Sequence, residues 1–295
     1  MRISTTTNFL VQRFGALTTA VQMLADAGFD CYDFSVFDVS DKNPLYGENW
    51  REHIAEVKAA ADKAGIVCNQ SHAPFPCLQP DLPKYEEYNA HIFDWIVRAM
   101  EGAALLGAQN IIVHPIHHVN YWENQQKLFD MNMEFYRSLA PYAKQFGIKI
   151  CVENMWQRKD GRIVDSACAS AAEFAAYLDT LNDDCFAGCV DVGHCGLVAR
   201  DAAQMILELG SKHVHALHIH DNDHYGDLHT IPFNGKMNWP EITAALGKIG
   251  YAGDFTYEAD AYLRPLPDDF IPDALAYMAK MARTLTARID AAREA

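Results

Sequence analysis

Glu153, Asp191 and Glu258 each close a short apolar, β-branched run, as His72, His114 and the His218-Ile-His220 segment close three more. In a strand, alternate side chains point to opposite faces. Ile148, Ile150 and Val152 therefore set one face of the run Lys149–Glu153, which leaves Cys151 and Glu153 on the other. The same parity pairs Cys189 with Asp191, Thr256 with Glu258, and Ala216 with His218 and His220; it puts His114 opposite Ile111 and Val113, and His72 with Cys68 and Gln70. Asp, Glu and His supply 39 acidic residues and 13 histidines in 295. That frequency is too low to put one at six consecutive strand ends by chance. A lone inward histidine is an ordinary hydrogen-bonded core residue, and a lone buried carboxylate an ordinary ion-pair partner. Three carboxylates in one low-dielectric mouth, with no Lys or Arg at inward positions, are different, because each uncompensated buried charge costs several kcal/mol. A divalent cation resolves the conflict; carboxylates with imidazole suit Mg²⁺, Mn²⁺, Co²⁺ or Zn²⁺.

Such a cluster needs strands that run parallel and end together. The expected strands are Arg2–Thr6, Cys31–Val36, Ile66–His72, Asn110–His114, Lys149–Glu153, Cys185–Asp191, His213–His220 and Asp254–Glu258. Helical patterns fall between them around 17–27, 49–64, 86–106, 125–145, 169–180, 201–208, 240–248 and 269–292. Strict strand–helix alternation predicts an α/β fold: one (β/α)₈ TIM barrel over residues 1–295, whose active site lies where the strands end.

Composition narrows the chemistry. The formal charge of −15 argues against nucleic acid, which is bound by neutralising backbone phosphates with Lys and Arg. No apolar run approaches the roughly 18 residues of a membrane span. Eight cysteines without a CxxC pair read as reduced, buried thiols, and Met1-Arg2-Ile3-Ser4-Thr5 leads directly into a strand. A cytoplasmic protein is expected, acting on a small molecule and compatible with homo-oligomerisation.

Cys151-Val-Glu153-Asn, Cys189-Val-Asp191-Val-Gly-His194, Leu217-His218-Ile-His-Asp221-Asn222-Asp and Tyr257-Glu258 occur in that order. The set resembles the strand ends of the xylose isomerase-like TIM barrel superfamily, especially its sugar phosphate isomerase/epimerase group. That resemblance implies Glu153, Asp191, His218 and Glu258 as ligands of a divalent ion (Mn²⁺, Co²⁺ or Zn²⁺, with Mg²⁺ also compatible). It implies Glu153 and Glu258 as the catalytic acid/base pair, with His194 contacting substrate or a further metal. The expected activity is sugar or sugar phosphate isomerisation or epimerisation, by carboxylate-mediated proton transfer through a metal-stabilised enediolate. The alternative within the superfamily is a zinc-dependent, endonuclease IV-like apurinic/apyrimidinic endonuclease. Its ligand pattern can be laid onto His72, His114, Glu153, Asp191, His194, His218, Asp227, His229 and Glu258. Against it stand the −15 charge and Ile231-Pro-Phe-Asn-Gly235-Lys-Met-Asn-Trp239, which lacks the nuclease's Gly-x-Gly form. A non-catalytic sugar-binding barrel is the reading from another class, and it has no use for two glutamates.

Around the mouth, Trp122 and Trp156 are candidates to stack on a sugar, with Phe9 and Phe37 as weaker ones. Arg158, Lys159 and Arg264 are candidates for a substrate phosphate. His117 and His118 follow His114 without a pattern that assigns them a role.

Overall fold

The computed structural model describes every residue except 38, 40–42, 80–82, 118, 119 and 295; His118 therefore lies outside the described residues. Its strands are β1 (Ile3–Thr5), β2 (Cys31–Ser35), β3 (Val67–His72), β4 (Asn110–Val113), β5 (Lys149–Glu153), β6 (Trp156–Lys159), β7 (Arg162–Asp165), β8 (Phe186–Asp191), β9 (Val214–His218) and β10 (Phe255–Tyr257). The helices are α1 (Asn8–Phe14), α2 (Leu17–Asp26), α3 (Trp50–Ala64), α4 (Glu86–Leu106), α5 (Tyr121–Phe146), α6 (Ala171–Leu181), α7 (Val192–Leu197), α8 (Ala202–His213), α9 (Trp239–Lys248) and α10 (Ile271–Arg293).

A parallel sheet runs β2-β3-β4-β5-β8-β9, and β1 pairs in parallel with β10. Bridges Thr6–Asp33 and Ile219–Tyr257 join the two pieces on both sides, so the sheet curls into a TIM barrel. Large apolar side chains of the helices and of the outward strand positions form one continuous outer core. Inside the barrel, Ile112, Cys151, Ala187, Cys189 and Ala216 make a small separate cluster, the inward parity expected for Cys151, Cys189 and Ala216.

On the strands across the barrel, β1–β3 and β10, the lumen is polar. Ser4 Oγ donates to Asn69 Oδ1 (2.7 Å), Asn69 Nδ2 to Thr256 Oγ1 (3.0 Å), and Gln70 Nε2 to Asp33 Oδ2 (2.9 Å), all buried. Here the parity reading of β3 fails in part. Tyr32 pairs with Cys68 but Asp33 with Gln70, so Asn69 is the extra residue of a β-bulge. The bulge turns Asn69 into the lumen and leaves Cys68 in the outer core, whereas Gln70 and His72 stay inward.

The strand–helix alternation matches the expected one, with three additions. Short helices α1 and α7 follow β1 and β8, and an antiparallel hairpin, β6–β7, follows β5. Its turn is Asp160-Gly161, with φ of 50° and 76°. Two positive φ values are what a tight two-residue hairpin turn needs, and Asp-Gly supplies them at low cost.

Candidate metal centre

Four parallel strands deliver the inner cluster. Glu153 ends β5, Asp191 ends β8, His218 ends β9 and Glu258 directly follows β10. The imidazole of His218 is the hub: Nδ1 lies 2.8 Å from Glu153 Oε1, 3.2 Å from Glu258 Oε2 and 4.0 Å from Asp191 Oδ2. One ligand atom from each of the four residues falls within 4.8 Å of the others. Beside it, His114 Nε2 stands 2.9 Å from Glu153 Oε2 and 3.0 Å from His72 Nε2.

On the other side of Asp191 is a second cluster. His194, His220, Asp227 and His229 likewise offer ligand atoms within 4.8 Å of one another. His229 Nε2 lies 3.1 Å from Asp227 Oδ2, His220 stacks on His229 at 4.2 Å, and His220 Nε2 reaches Asp191 at 3.0 Å. His220 is the member that the sequence reading left out of the site, although strand parity already turned it inward. Gly193 makes room for it, because a Cβ there would lie 2.0 Å from the His220 ring.

The histidines are oriented from behind. His72 Nδ1 is 2.7 Å from Ala73 O, His194 Nδ1 2.8 Å from Asn154 O, and His229 Nδ1 2.8 Å from Glu258 O. A ring that donates Nδ1–H to a carbonyl keeps its Nε2 lone pair for a metal, the usual outer support of such ligands. Asn154 also accepts the Asp191 N–H and donates to the Asp191 carbonyl, fixing the end of β8. Asp191 Oδ1 caps α7 by accepting the His194 N–H at 2.7 Å.

Whether a cation fits can be judged from atoms left without partners. His218 Nε2, His220 Nδ1 and Asp227 Oδ1 are buried and make no hydrogen bond. Buried polar atoms are normally satisfied, and carboxylates with imidazoles are the donors that divalent ions take. The residues present therefore fit a divalent ion.

In the absence of metal the carboxylates are polarised in opposite directions. Burial raises both, but His218 and His114 outweigh it at Glu153 and hold that carboxyl well below its usual range. At Glu258 burial prevails, aided by the charge of Glu153, so it titrates above its usual range despite His218 and His229. Burial lowers the His218 pKa, yet Glu258 and Glu153 overcome it and push it up to about 10.

A pocket of about 480 Å³ opens over the carboxylates. It is lined by His114, His117, Glu153, His194, Asp227, His229 and Glu258 on the polar side. Phe75, Pro76, Met155 and Trp156 form the apolar wall, with Gln157 and Arg158 beside them. This volume lies in the range of small-molecule sites. Trp156 thus borders the pocket. Trp122, at the start of α5, is 53% exposed and does not line it; Arg264 pairs with Asp260 at 3.3 Å and is also outside the lining. Phe9 packs in the outer core, Phe37 packs edge-on to His72, and Lys159 turns to Asn120 and Glu123 at the start of α5. Phe75 was not singled out in the sequence; it is 39% exposed with its ring 4.8 Å from His114.

Asp227 and His229 come from a loop, and Asp221 ties that loop down. Its Oδ1 accepts the N–H groups of Asn222 (2.9 Å) and Met237 (3.0 Å), and its Oδ2 accepts Trp239 Nε1–H (2.8 Å). Asp221→Ala should destabilise the protein by about 3 kcal/mol, because buried donors lose their acceptor. The urea midpoint with metal chelated checks this; a shift under about 0.5 kcal/mol would show that the loop is held by other contacts.

Residues 21–281 match the family described as xylose isomerase-like TIM barrel, and the chain belongs to that family. Among curated relatives, it is 26% identical over 249 residues to an uncharacterised protein of Methanocaldococcus jannaschii, covering 82% of this chain and 79% of that one. It is 24% identical over 252 residues to the D-psicose 3-epimerase of Ruminiclostridium cellulolyticum, covering 81% and 76%. Among solved structures, a D-tagatose 3-epimerase-like protein superimposes with a TM-score of 0.75 at 22% identity, covering 100% of this chain and 99% of that one. No described helix is long and apolar enough to cross a membrane.

Proposed function

We propose that the protein is a metal-dependent sugar or sugar phosphate isomerase/epimerase. The observation that carries the reading is the convergence of Glu153 and Glu258, from well-separated strands of the barrel, on His218 Nδ1 at 2.8 and 3.2 Å beneath a pocket of small-molecule size. Similarity to a curated D-psicose 3-epimerase supports the substrate class. Glu153, Asp191, His218 and Glu258 would hold a divalent ion, which supplies positive charge against the charge developing on a substrate carbonyl oxygen when the neighbouring C–H is deprotonated. The chain's own part is to place and move the proton. Glu153, held ionised by His218 and His114, is suited to accept it; Glu258, with its raised pKa, is suited to return it. Two carboxylates acting from different sides of a carbon give epimerisation, whereas one serving adjacent carbons gives aldose–ketose isomerisation. Phe75 and Trp156 wall the pocket with apolar surface that restricts water. A screen of ketoses, aldoses and their phosphates in deuterated water with Mn²⁺ or Co²⁺, read by NMR, tests the proposal. Deuterium entering at C1, C2 or C3 names the carbon; no exchange in any sugar would refute it and leave a binding barrel.

One observation favours a second reading, zinc-dependent cleavage of a phosphodiester. His72 and His114 sit on one oxygen of Glu153, and His194, His220, Asp227 and His229 form a separate group beyond Asp191, so the mouth has donors for more than one ion. Multinuclear sites suit attack on phosphorus. The net charge of −15 weighs against a nucleic-acid substrate. No incision of an abasic-site oligonucleotide is expected with Zn²⁺ at physiological salt. Incision that disappears in Glu258→Gln would make the nuclease reading the better one.

A further inference from the structure

We infer that Arg158 is the anion anchor of the pocket, so that the preferred sugar carries a phosphate ester or a carboxylate; this deepens the proposed function and rests on it. Among the described lining residues, Arg158 has the only permanent positive charge, facing a wall that includes Glu153, Asp227 and Glu258. Those carboxylates are engaged by histidines, whereas Arg158 makes no ion pair with any described residue. Its guanidinium instead lies 5.5 Å from the Trp156 ring centroid, which holds the charge over the apolar wall without neutralising it.

The backbone beneath it is built to keep it there. β6 and β7 pair in antiparallel register, with Trp156 opposite Asp165 and Arg158 opposite Ile163. Arg200 bonds the Asp165 carboxylate at 2.6 Å, Gln157 Nε2 donates to the Asp165 carbonyl, and the Met155 N–H donates to Ala167 O. Alternation along β6 puts Trp156 and Arg158 on one face and sends Lys159 to the other, where it meets Asn120 and Glu123. The second cation of the hairpin is thus occupied elsewhere, and the first is left facing the pocket. A planar guanidinium gives bidentate hydrogen bonds to phosphate or carboxylate oxygens, and a neutral sugar has nothing to match it.

The test is calorimetric titration of the metal-loaded protein with D-fructose, D-fructose 6-phosphate and D-fructuronate, repeated with Arg158→Gln. At least one anion should bind about tenfold or more tightly than fructose, and that ratio should fall toward one in the variant. A preference for fructose 6-phosphate alone assigns the phosphate ester, and for fructuronate alone the carboxylate. Equal affinity for all three, no measurable binding of either anion, or an advantage that survives Arg158→Gln overturns the inference; the last outcome places the anion on the metal. Failure of the proposed function appears separately, as absent deuterium exchange in sugars that do bind.

Discussion

Glu153→Gln and Glu258→Gln are each expected to lower solvent deuterium exchange into the substrate by about 10²- to 10⁴-fold, the usual contribution of a positioned acid or base. The two losses should differ in character. Glu153 touches His218 and His114 together, so its replacement also disturbs the histidines around it. Glu258 reaches His218 from one side only, and Glu258→Asp, which pulls the carboxylate back by one methylene, should be slowed more in rate than in binding. Circular dichroism must show the variants folded. Exchange that survives both glutamine substitutions removes these residues from the proton path, whatever they do for the metal.

The second large effect concerns the metal itself. Protein purified without added metal or chelator should carry about one divalent ion per chain, since carboxylates this buried leave little reason for an empty site. The Glu153→Gln/Glu258→Gln double variant should bind it at least about tenfold more weakly, as metal analysis after dialysis would show. Equal metal in both proteins would put the ion elsewhere, and two or three equivalents would draw in the His194–His220–Asp227–His229 cluster. A proton signature should accompany binding. In the metal-free protein His218 is pushed up to about 10 from 6.5, so it carries a proton at neutral pH that a metal on Nδ1 must displace. Binding should therefore release protons and strengthen as pH rises toward 10. The same shift has a stability consequence for the metal-free protein: His218⁺ contributes fully below about pH 6.5, the unfolded value, and that contribution disappears as pH rises through 10. Titration calorimetry in two buffers of different ionisation heat separates proton release from metal binding; no difference between them would contradict the protonated hub.

The inner cluster was readable because a strand's period of two is rigid. Once Ile150 and Val152 face the helices, Glu153 faces the lumen, and the same holds for Asp191, His218 and Glu258. The rule fails where the backbone gains a residue. Nothing in Cys68-Asn69-Gln70 announces the bulge that moves Asn69 into the lumen and Cys68 out of it. The hairpin was different: Asp160-Gly161 between Trp-Gln-Arg-Lys and Arg-Ile-Val-Asp is a turn signal that a search for parallel units passes over. His220 needed more than parity, since its place against Asp191 depends on the register of β8 with β9. Residue type and loop position point to Trp122 and Arg264, but neither says where a loop turns.

The seam between β1 and β10 gives the molecule a timetable. Ile3 pairs with Phe255 and Thr5 with Tyr257, partners some 250 positions apart, so the cylinder has no way to shut until its final strand exists. Non-local pairings of this kind are slow to form. The strand that shuts it also delivers Glu258. During synthesis, then, Glu153, Asp191 and His218 emerge into an unfinished wall, and the finished cage arrives only with the stave that seals the cask. In the proposed site, an ion captured earlier would meet Glu153, Asp191 and His218 without Glu258, so lasting metal retention would wait for the strand that closes the barrel.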